Sequence, residues 1–307
     1  MLLVAGSIAL DDLEGPFGSV TGELGGSALY FALAASLIGP VAISAPVGDE
    51  DVEQVLALLA DRDIDTTRLS VLRAPTYRWS AKQAGGTNVD RGSRDSIYDA
   101  WTPAVPQDFG GWAFIGSMRP DRQAEAAEAL SGALLLAGDS MRSYVSALPN
   151  AVRRLLGPCD WFFSNEEELR ALGGDPAAPQ DFRERWNLVG LVVKAGPRGS
   201  AAWTVRGQEA MPAAQGRPVV DVTGAGDALA GGFLARWLKT GGAADGLADA
   251  LAHGTACAAL AISDIGLQGI AAATPADVEE LVASLRWPGQ RRGTPLSPVD
   301  PACDRLS

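Results

Sequence analysis

Residues 2–10, LLVAGSIAL, are apolar at almost every position and run straight into two aspartates, Asp11 and Asp12. A strand with no polar face has to be covered on both sides, which places it inside a parallel sheet with helices packed above and below. The same kind of run returns along the chain. Residues 27–37 space Leu29, Leu33 and Leu37 as one helical stripe, Gly39-Pro40 closes it, and VAISAPVG follows as the next strand. Residues 112–116, 133–137, 161–164 and 191–194 supply further short apolar strands, separated by helical stretches such as 121–130 and 166–172. This alternation predicts an α/β layer structure around a mostly parallel sheet.

Two stretches break the rhythm, residues 12–23 and 75–101, the second rich in Thr, Tyr, Trp, Gly and Asn. They read either as a small β extension over a cleft or as two long surface loops, and structureless insertions of that length are uncommon in compact domains. The end of the chain, residues 286–307, lacks periodicity and reads as a mobile tail. With 307 residues, 47% of them hydrophobic, the chain can bury a substantial core.

Charge narrows the function. Twenty-five basic against 37 acidic residues, a net charge of −12, exclude a broad nucleic-acid face and point to a small-molecule partner. Cys159, Cys257 and Cys303 lack the spacing of a zinc site or a disulfide framework. The apolar start has no basic flank and is too short to span a bilayer, so a cytoplasmic protein with no membrane partner is expected. His253 is the single histidine and lies in the Ala-rich AHGTACAALAI, which reads as a packed helix. Chemistry therefore rests on carboxylates, lysine and backbone amides.

The strongest local signal is VVDVTGAGDALAGGFLARWL, residues 219–238, a Gly-rich turn entering a helix with Leu229, Phe233, Trp237 and Leu238 on one face. A helix start offers unpaired N–H groups and a partial positive charge, and Gly224, Ala225 and Gly226 let an anion approach them. Asp227 falls in the first turn, where it either accepts a proton from an attacking hydroxyl or merely stabilises the helix start. A dinucleotide fingerprint would need such a turn after the first strand, and this one comes late.

VDVTGAGD followed by ALAGGF closely resembles the C-terminal signature of the ribokinase/PfkB family of carbohydrate and nucleoside kinases. GSIALD at 6–11 is similar to that family's opening strand ending in a substrate-binding aspartate, and GGSALYFALAAS at 25–36 to its double-glycine motif. SNEEE, with Asn165 and Glu168, resembles its NxxE element, and VVKAGPRG, with Lys194, Gly196 and Gly199, its nucleotide-side turn.

The resemblance implies a ribokinase-like three-layer α/β/α sandwich over residues 1–285, a mostly parallel central sheet and a small β-sheet lid from segments 12–23 and 75–101. It implies transfer of the γ-phosphate of Mg-ATP to a hydroxyl of a sugar or sugar-like substrate, with a nucleoside kinase or a non-catalytic sugar sensor as alternatives. Asp227 would be the base, with the amides of Gly224, Ala225 and Gly226 as the anion hole. Asp11, Gly25, Gly26 and Ser27 would bind the acceptor; Lys194, Gly196, Gly199 and Thr223 the nucleotide. Asn165 and Glu168 would organise Mg²⁺ through waters, and Asp221 beside Thr223 would hold a monovalent cation such as K⁺. A lid edge would pair two subunits into a homodimer.

Each of these residues also has a plainer reading: Asn165 and Glu168 as a solvated helix start, Lys194 as a strand end reaching solvent, Asp11 as a turn cap whose neighbour Asp12 competes for the role. The chain also departs from the family. Leu29 and Tyr30 stand where ribokinases carry a sugar-binding asparagine, and GDSMRSY keeps Asp139 and Arg142 of a fructokinase-type DPNxR segment in altered spacing. Tyr77, Arg78, Trp79 and Trp101 in the second irregular stretch would stack on a ligand or pack the lid.

Overall fold

The apolar run at residues 2–10 forms two strands rather than one. In the computed structural model, which describes residues 1–106 and 108–285, β1 (Leu2–Ala5) stops at Gly6 and β2 (Ala9–Gly15) starts a different sheet. Ser7 causes the break. Its N–H donates to Ser27 Oγ (3.0 Å), its Oγ accepts from Ser27 N–H (3.0 Å), and its carbonyl accepts from Ala28 N–H (3.0 Å), so the chain turns to meet a helix start. Both serine hydroxyls reach Ser117 O. One polar residue in nine does this, too little to show in a hydropathy pattern.

The remaining strands are β3 (Gly18–Gly25), β4 (Val41–Gly48), β5 (Ile64–Leu72), β6 (Tyr77–Ala84), β7 (Thr87–Arg94), β8 (Trp112–Ile115), β9 (Leu135–Asp139), β10 (Trp161–Asn165), β11 (Gly190–Lys194), β12 (Ser200–Thr204) and β13 (Gly207–Met211). The large sheet runs β13-β12-β11-β10-β9-β8-β1-β4-β5, parallel from β11 to β5, with antiparallel β12 and β13 at one edge. Alternation along each strand fills two cores. Leu2, Val4, Phe114, Phe163 and Val192 face the helices Ser27–Ser36, Ala225–Lys239 and Leu247–Ala261. Leu3, Ala5, Ile115, Phe162 and Leu191 face the opposite helical layer, which includes Pro149–Leu156 and Pro179–Arg185.

Three helices crowd one face because their residues are small. Gly231 lies against the Phe31 backbone, and a Cβ at Gly254 would sit 2.6 Å from Leu229 O. The helix Ser27–Ser36 is consequently buried from Ser27 to Ala35, on every side, rather than along the predicted Leu stripe. In the second of these helices, Leu229, Phe233 and Trp237 are buried, but so are Leu234 and Ala235 beyond the expected face. His253 is a packed residue tying two helices together, with Nδ1 2.7 Å from Asp249 O and Nε2 3.3 Å from Glu279.

Both irregular stretches become strands of a second sheet, β3-β2-β6-β7, antiparallel except for the central β2–β6 pair. Its outer face carries ion pairs of Asp12 with Arg78 and of Glu14 with Lys82 and Arg91. Trp101 packs against Tyr98 and donates to Ser70 Oγ. In the large sheet β1 leads to β4 on one side, and the chain later returns to β8 on the other. The crevice outside the carboxyl ends of such strands is where open α/β sheets place ligands. Residues 286–307, expected to be a tail, lie outside the described residues.

Candidate active site

Gly224 opens the helix Ala225–Lys239 with φ +71°, a left-handed conformation that side chains rarely adopt, and a Cβ there would enter the Tyr30 ring. This sharp entry lets a fifteen-residue helix start against the sheet's carboxyl edge, with its N-terminal dipole directed there.

Asp227, in the first turn, is half-buried, and its Oδ1 has no hydrogen-bond partner. Burial pushes its carboxyl up to about 6, with Lys194 opposing and Glu168 adding to the rise. Lys194 comes from the end of β11. A Cβ on Gly226 would meet its Nζ at 2.6 Å, so glycine is what admits the ammonium beside the helix start. On its other side Lys194 Nζ lies 3.9 Å from Asp139 Oδ2.

Asp139 is the residue that sequence reasoning undervalued. The strand expected at 133–137 is shifted to Leu135–Asp139, so Asp139 ends β9 inside the protein, with Oδ1 unpartnered. Burial and the Asp227 charge hold it well above the carboxylate range, against the pull of Lys194. The ends of β9, β10 and β11 thus set Asp139, Asn165 and Lys194 on adjacent strands.

Asp11 and Asp12 separate cleanly. Asp12 faces outward, accepts from Arg78 Nε (2.7 Å) and from Gly22 N–H (3.0 Å), and the Arg78 bonds hold it below the usual range. Asp11 faces inward, 2% exposed, against Gly25, where any Cβ would strike its carboxylate. Its Oδ1 is unpartnered, and burial followed by the charges of Asp221, Asp12 and Asp227 pushes it up to about 8. Tyr30, whose buried hydroxyl is also unpartnered, feels Asp11, Asp221 and Asp227 together. The sequence marked its position as a departure from the ribokinase asparagine but not its contact with these carboxylates.

The raised Asp11 has a testable consequence. Because its folded value lies above the unfolded 3.8, its contribution to stability is present below 3.8 and lost as pH rises through about 8. Asp11→Asn should raise the melting temperature of the ligand-free protein at pH 8.5 more than at pH 5.5, on the order of 5 °C. Thermal denaturation at the two pH values measures this, and an equal change at both would mean Asp11 is already ionised throughout.

Other expected site residues have structural partners. Ser27 spends its N–H and hydroxyl on the turn at Ser7 and Ser117, so no donor is left for an acceptor molecule. Asp221 is 1% exposed; Oδ1 accepts from Thr223 N–H (3.0 Å) and Oγ1 (2.7 Å), and Oδ2 accepts from Gly266 N–H (2.9 Å). These bonds fix the Asp221 side chain between Thr223 and Gly266. Asn165 and Glu168 form a reciprocal capping box, each side chain accepting from the other's N–H at 2.9 Å. Gly196, at φ +56°, and Gly199 shape the turn from β11 to β12, closed by Ala195 N–H to Gly199 O at 2.8 Å, with Gly199 against Met211 O. Gly26 caps the helix at Ser27 beside Ser7 O.

The pfkB family carbohydrate kinase model matches residues 8–274, a span holding Asp11, Asp139, Glu168, Asp221 and Asp227. The chain belongs to the pfkB family. Its members are phosphotransferases with an alcohol group as acceptor. Among curated proteins, an ATP-dependent ribose-1-phosphate kinase of Halopiger xanaduensis is 34% identical over 134 residues, 43% of this chain and 41% of that protein. This pfkB chain therefore spans under half the length of the curated relative it matches. Among solved structures, a nucleoside kinase of Burkholderia thailandensis in complex with inosine superposes with a TM-score of 0.77 at 20% identity, covering 93% of this chain and 99% of that one. A fructokinase of Vibrio cholerae, bound to fructose, ADP and calcium, gives 0.72 at 21% identity over 92% and 98% of the two chains. These likenesses establish the pfkB fold with its small second sheet.

Proposed function

We propose that this pfkB protein transfers the γ-phosphate of ATP to a hydroxyl of a sugar or sugar-like acceptor, with Asp227 as the general base. The observation that carries the reading is the convergence of unpartnered carboxylates, Asp11 and Asp227, and of Lys194 on one helix start. Asp11, oriented inward beside Gly25 and Gly26, holds acceptor hydroxyls. Asp227 takes the proton from the attacking hydroxyl; that oxygen bonds to the γ-phosphorus as the bond to the β-phosphate oxygen breaks and ADP leaves. The amides of Gly224, Ala225 and Gly226 hold the charge on the transferring group, and Lys194 neutralises phosphate on the nucleotide side. Thr223 lines the same turn. The small sheet closes over the site and keeps water from the γ-phosphate.

Among the described residues no group of three or more His, Cys, Asp or Glu is placed to hold a metal ion. The side-chain oxygens of Asn165 and Glu168 fit an ion carried on the triphosphate and reached through water, since Mg²⁺ keeps much of its hydration shell. Mg²⁺ would supply charge neutralisation of the phosphates. Asn165 and Glu168 would face its waters with the oxygens the capping box leaves over. Glu168→Gln keeps an acceptor for Asn165 N–H, so it should leave the melting temperature near wild type while raising the Mg²⁺ concentration for half-maximal rate several-fold. Asn165→Ala, by contrast, should cost about 0.5–2 kcal/mol of stability through the lost cap. An unchanged Mg²⁺ titration in Glu168→Gln would reduce both residues to the cap alone.

ADP release from Mg-ATP across ribose, fructose, ribose 1-phosphate, inosine and simple polyols tests the acceptor. Turnover on one of them, lost in Asp227→Asn, supports the reading. Nucleotide binding with silence across the panel counts against a sugar or nucleoside acceptor.

A further inference from the structure

The tip of the small sheet is bonded to the segment that leads into the anion-binding turn. Strands β6 and β7 join through Gly85 and Gly86, both at positive φ (+59° and +76°), the two-residue turn that keeps a hairpin tight. Just below the turn, Gln83 and Asn88 form a cross-strand pair, so their side chains share one face. They are the half-buried residues of a tip otherwise exposed from Ala84 to Thr87. Gln83 Nε2 donates to Val220 O at 3.3 Å and its Oε1 accepts from Val222 N–H at 3.0 Å. Asn88 Nδ2 donates to Thr223 Oγ1 at 2.8 Å.

The segment so gripped has no regular structure of its own. On its far side Val220 N–H donates to Ile262 O (2.9 Å), and Asp221 accepts from Thr223 and Gly266. Val220–Thr223 is therefore held between the hairpin tip and the turn after the helix Leu247–Ala261, and Gly224 follows at once. Moving the tip away breaks three hydrogen bonds to this segment and leaves it held from one side.

We infer that Gln83 and Asn88 are positioning residues, a latch that ties closure of the small sheet to the arrangement of the Gly224–Gly226 turn. The inference rests on the proposed phosphoryl transfer for its purpose, because a turn ordered only when the site is covered would keep γ-phosphate away from water. An outward swing would cost the amides their alignment. Neither residue need touch substrate.

Hydrogen exchange with saturating non-hydrolysable Mg-ATP analogue tests the latch. In the wild type the analogue should slow exchange both at Gly224–Gly226 and at the hairpin amides of β6 and β7, by about tenfold or more. In Gln83→Ala and Asn88→Ala the slowing at the hairpin should disappear and that at Gly224–Gly226 should be several-fold smaller than in the wild type. Arg91→Ala, on the outer face, should behave as wild type. Equal protection of the hairpin in wild type and both variants overturns the latch, as does no protection of the wild-type hairpin. No slowing at Gly224–Gly226 in the wild type overturns the nucleotide site itself, a separate failure. A purely structural role for Gln83 or Asn88 would lower the melting temperature yet leave analogue-induced protection in place, and would also overturn the inference.

Discussion

Asp227→Asn should lower acceptor-dependent turnover by about 10²- to 10⁴-fold while nucleotide affinity stays unchanged. The substitution keeps the shape and removes the proposed proton acceptor. In the wild type the base has to be ionised, and its carboxyl is pushed up to about 6, so kcat/KM should fall as pH drops below about 6 and level off above it. That acidic limb should vanish from the residual activity of the variant. Equilibrium binding of ADP, steady-state kinetics and a pH profile together make the measurement. Turnover close to wild type with the limb retained would transfer the base role elsewhere, and Asp139, on the far side of Lys194, would be the next residue to replace.

Gly224→Ala should destabilise the protein strongly. Two costs coincide there: a left-handed conformation, roughly 1–2 kcal/mol for a residue with a Cβ, and a collision with the Tyr30 ring, roughly 1–3 kcal/mol as for other overpacked positions. Together they should lower the melting temperature by on the order of 10 °C. The two parts are separable. Adding Tyr30→Leu relieves the collision and leaves the backbone cost, so the double variant should be more stable than the sum of the two changes predicts. Strict additivity would show that the ring is not what the methyl meets. Turnover should fall as well if the amides after Gly224 form the proposed anion hole.

How much of this was legible beforehand depended on whether a residue acts through local sequence or through assembly. The alternation of apolar strands and helices announced the layered sheet, and the Gly-rich turn before Asp227 announced a helix start, because both are short-range patterns. Asp11 and Asp12 were indistinguishable in the chain, since facing inward or outward depends on β2 joining the small sheet. The break at Ser7 depended on a hydroxyl twenty residues away. Asp139 was read through an imperfect motif, although its meaning comes from β9, β10 and β11 lying side by side. Gln83 and Asn88 carried no signal, because what they bond to lies more than 130 positions later. Asn165, Glu168 and Asp221 show the converse: their spacing was informative, but the hydrogen bonds they make are structural first.

The burial of the helix Ser27–Ser36 on all sides also bears on how the protein is made. Its partners, the helices Ala225–Lys239 and Leu247–Ala261, lie near the other end of the chain. At about 5–20 residues per second, synthesis delivers them on the order of tens of seconds after the first helix has left the ribosome. During that interval an apolar helix with no polar face waits for its cover. A chain shortened to end before Leu247 would lack one of the helices that cover Ser27–Ser36 while still holding Asp227.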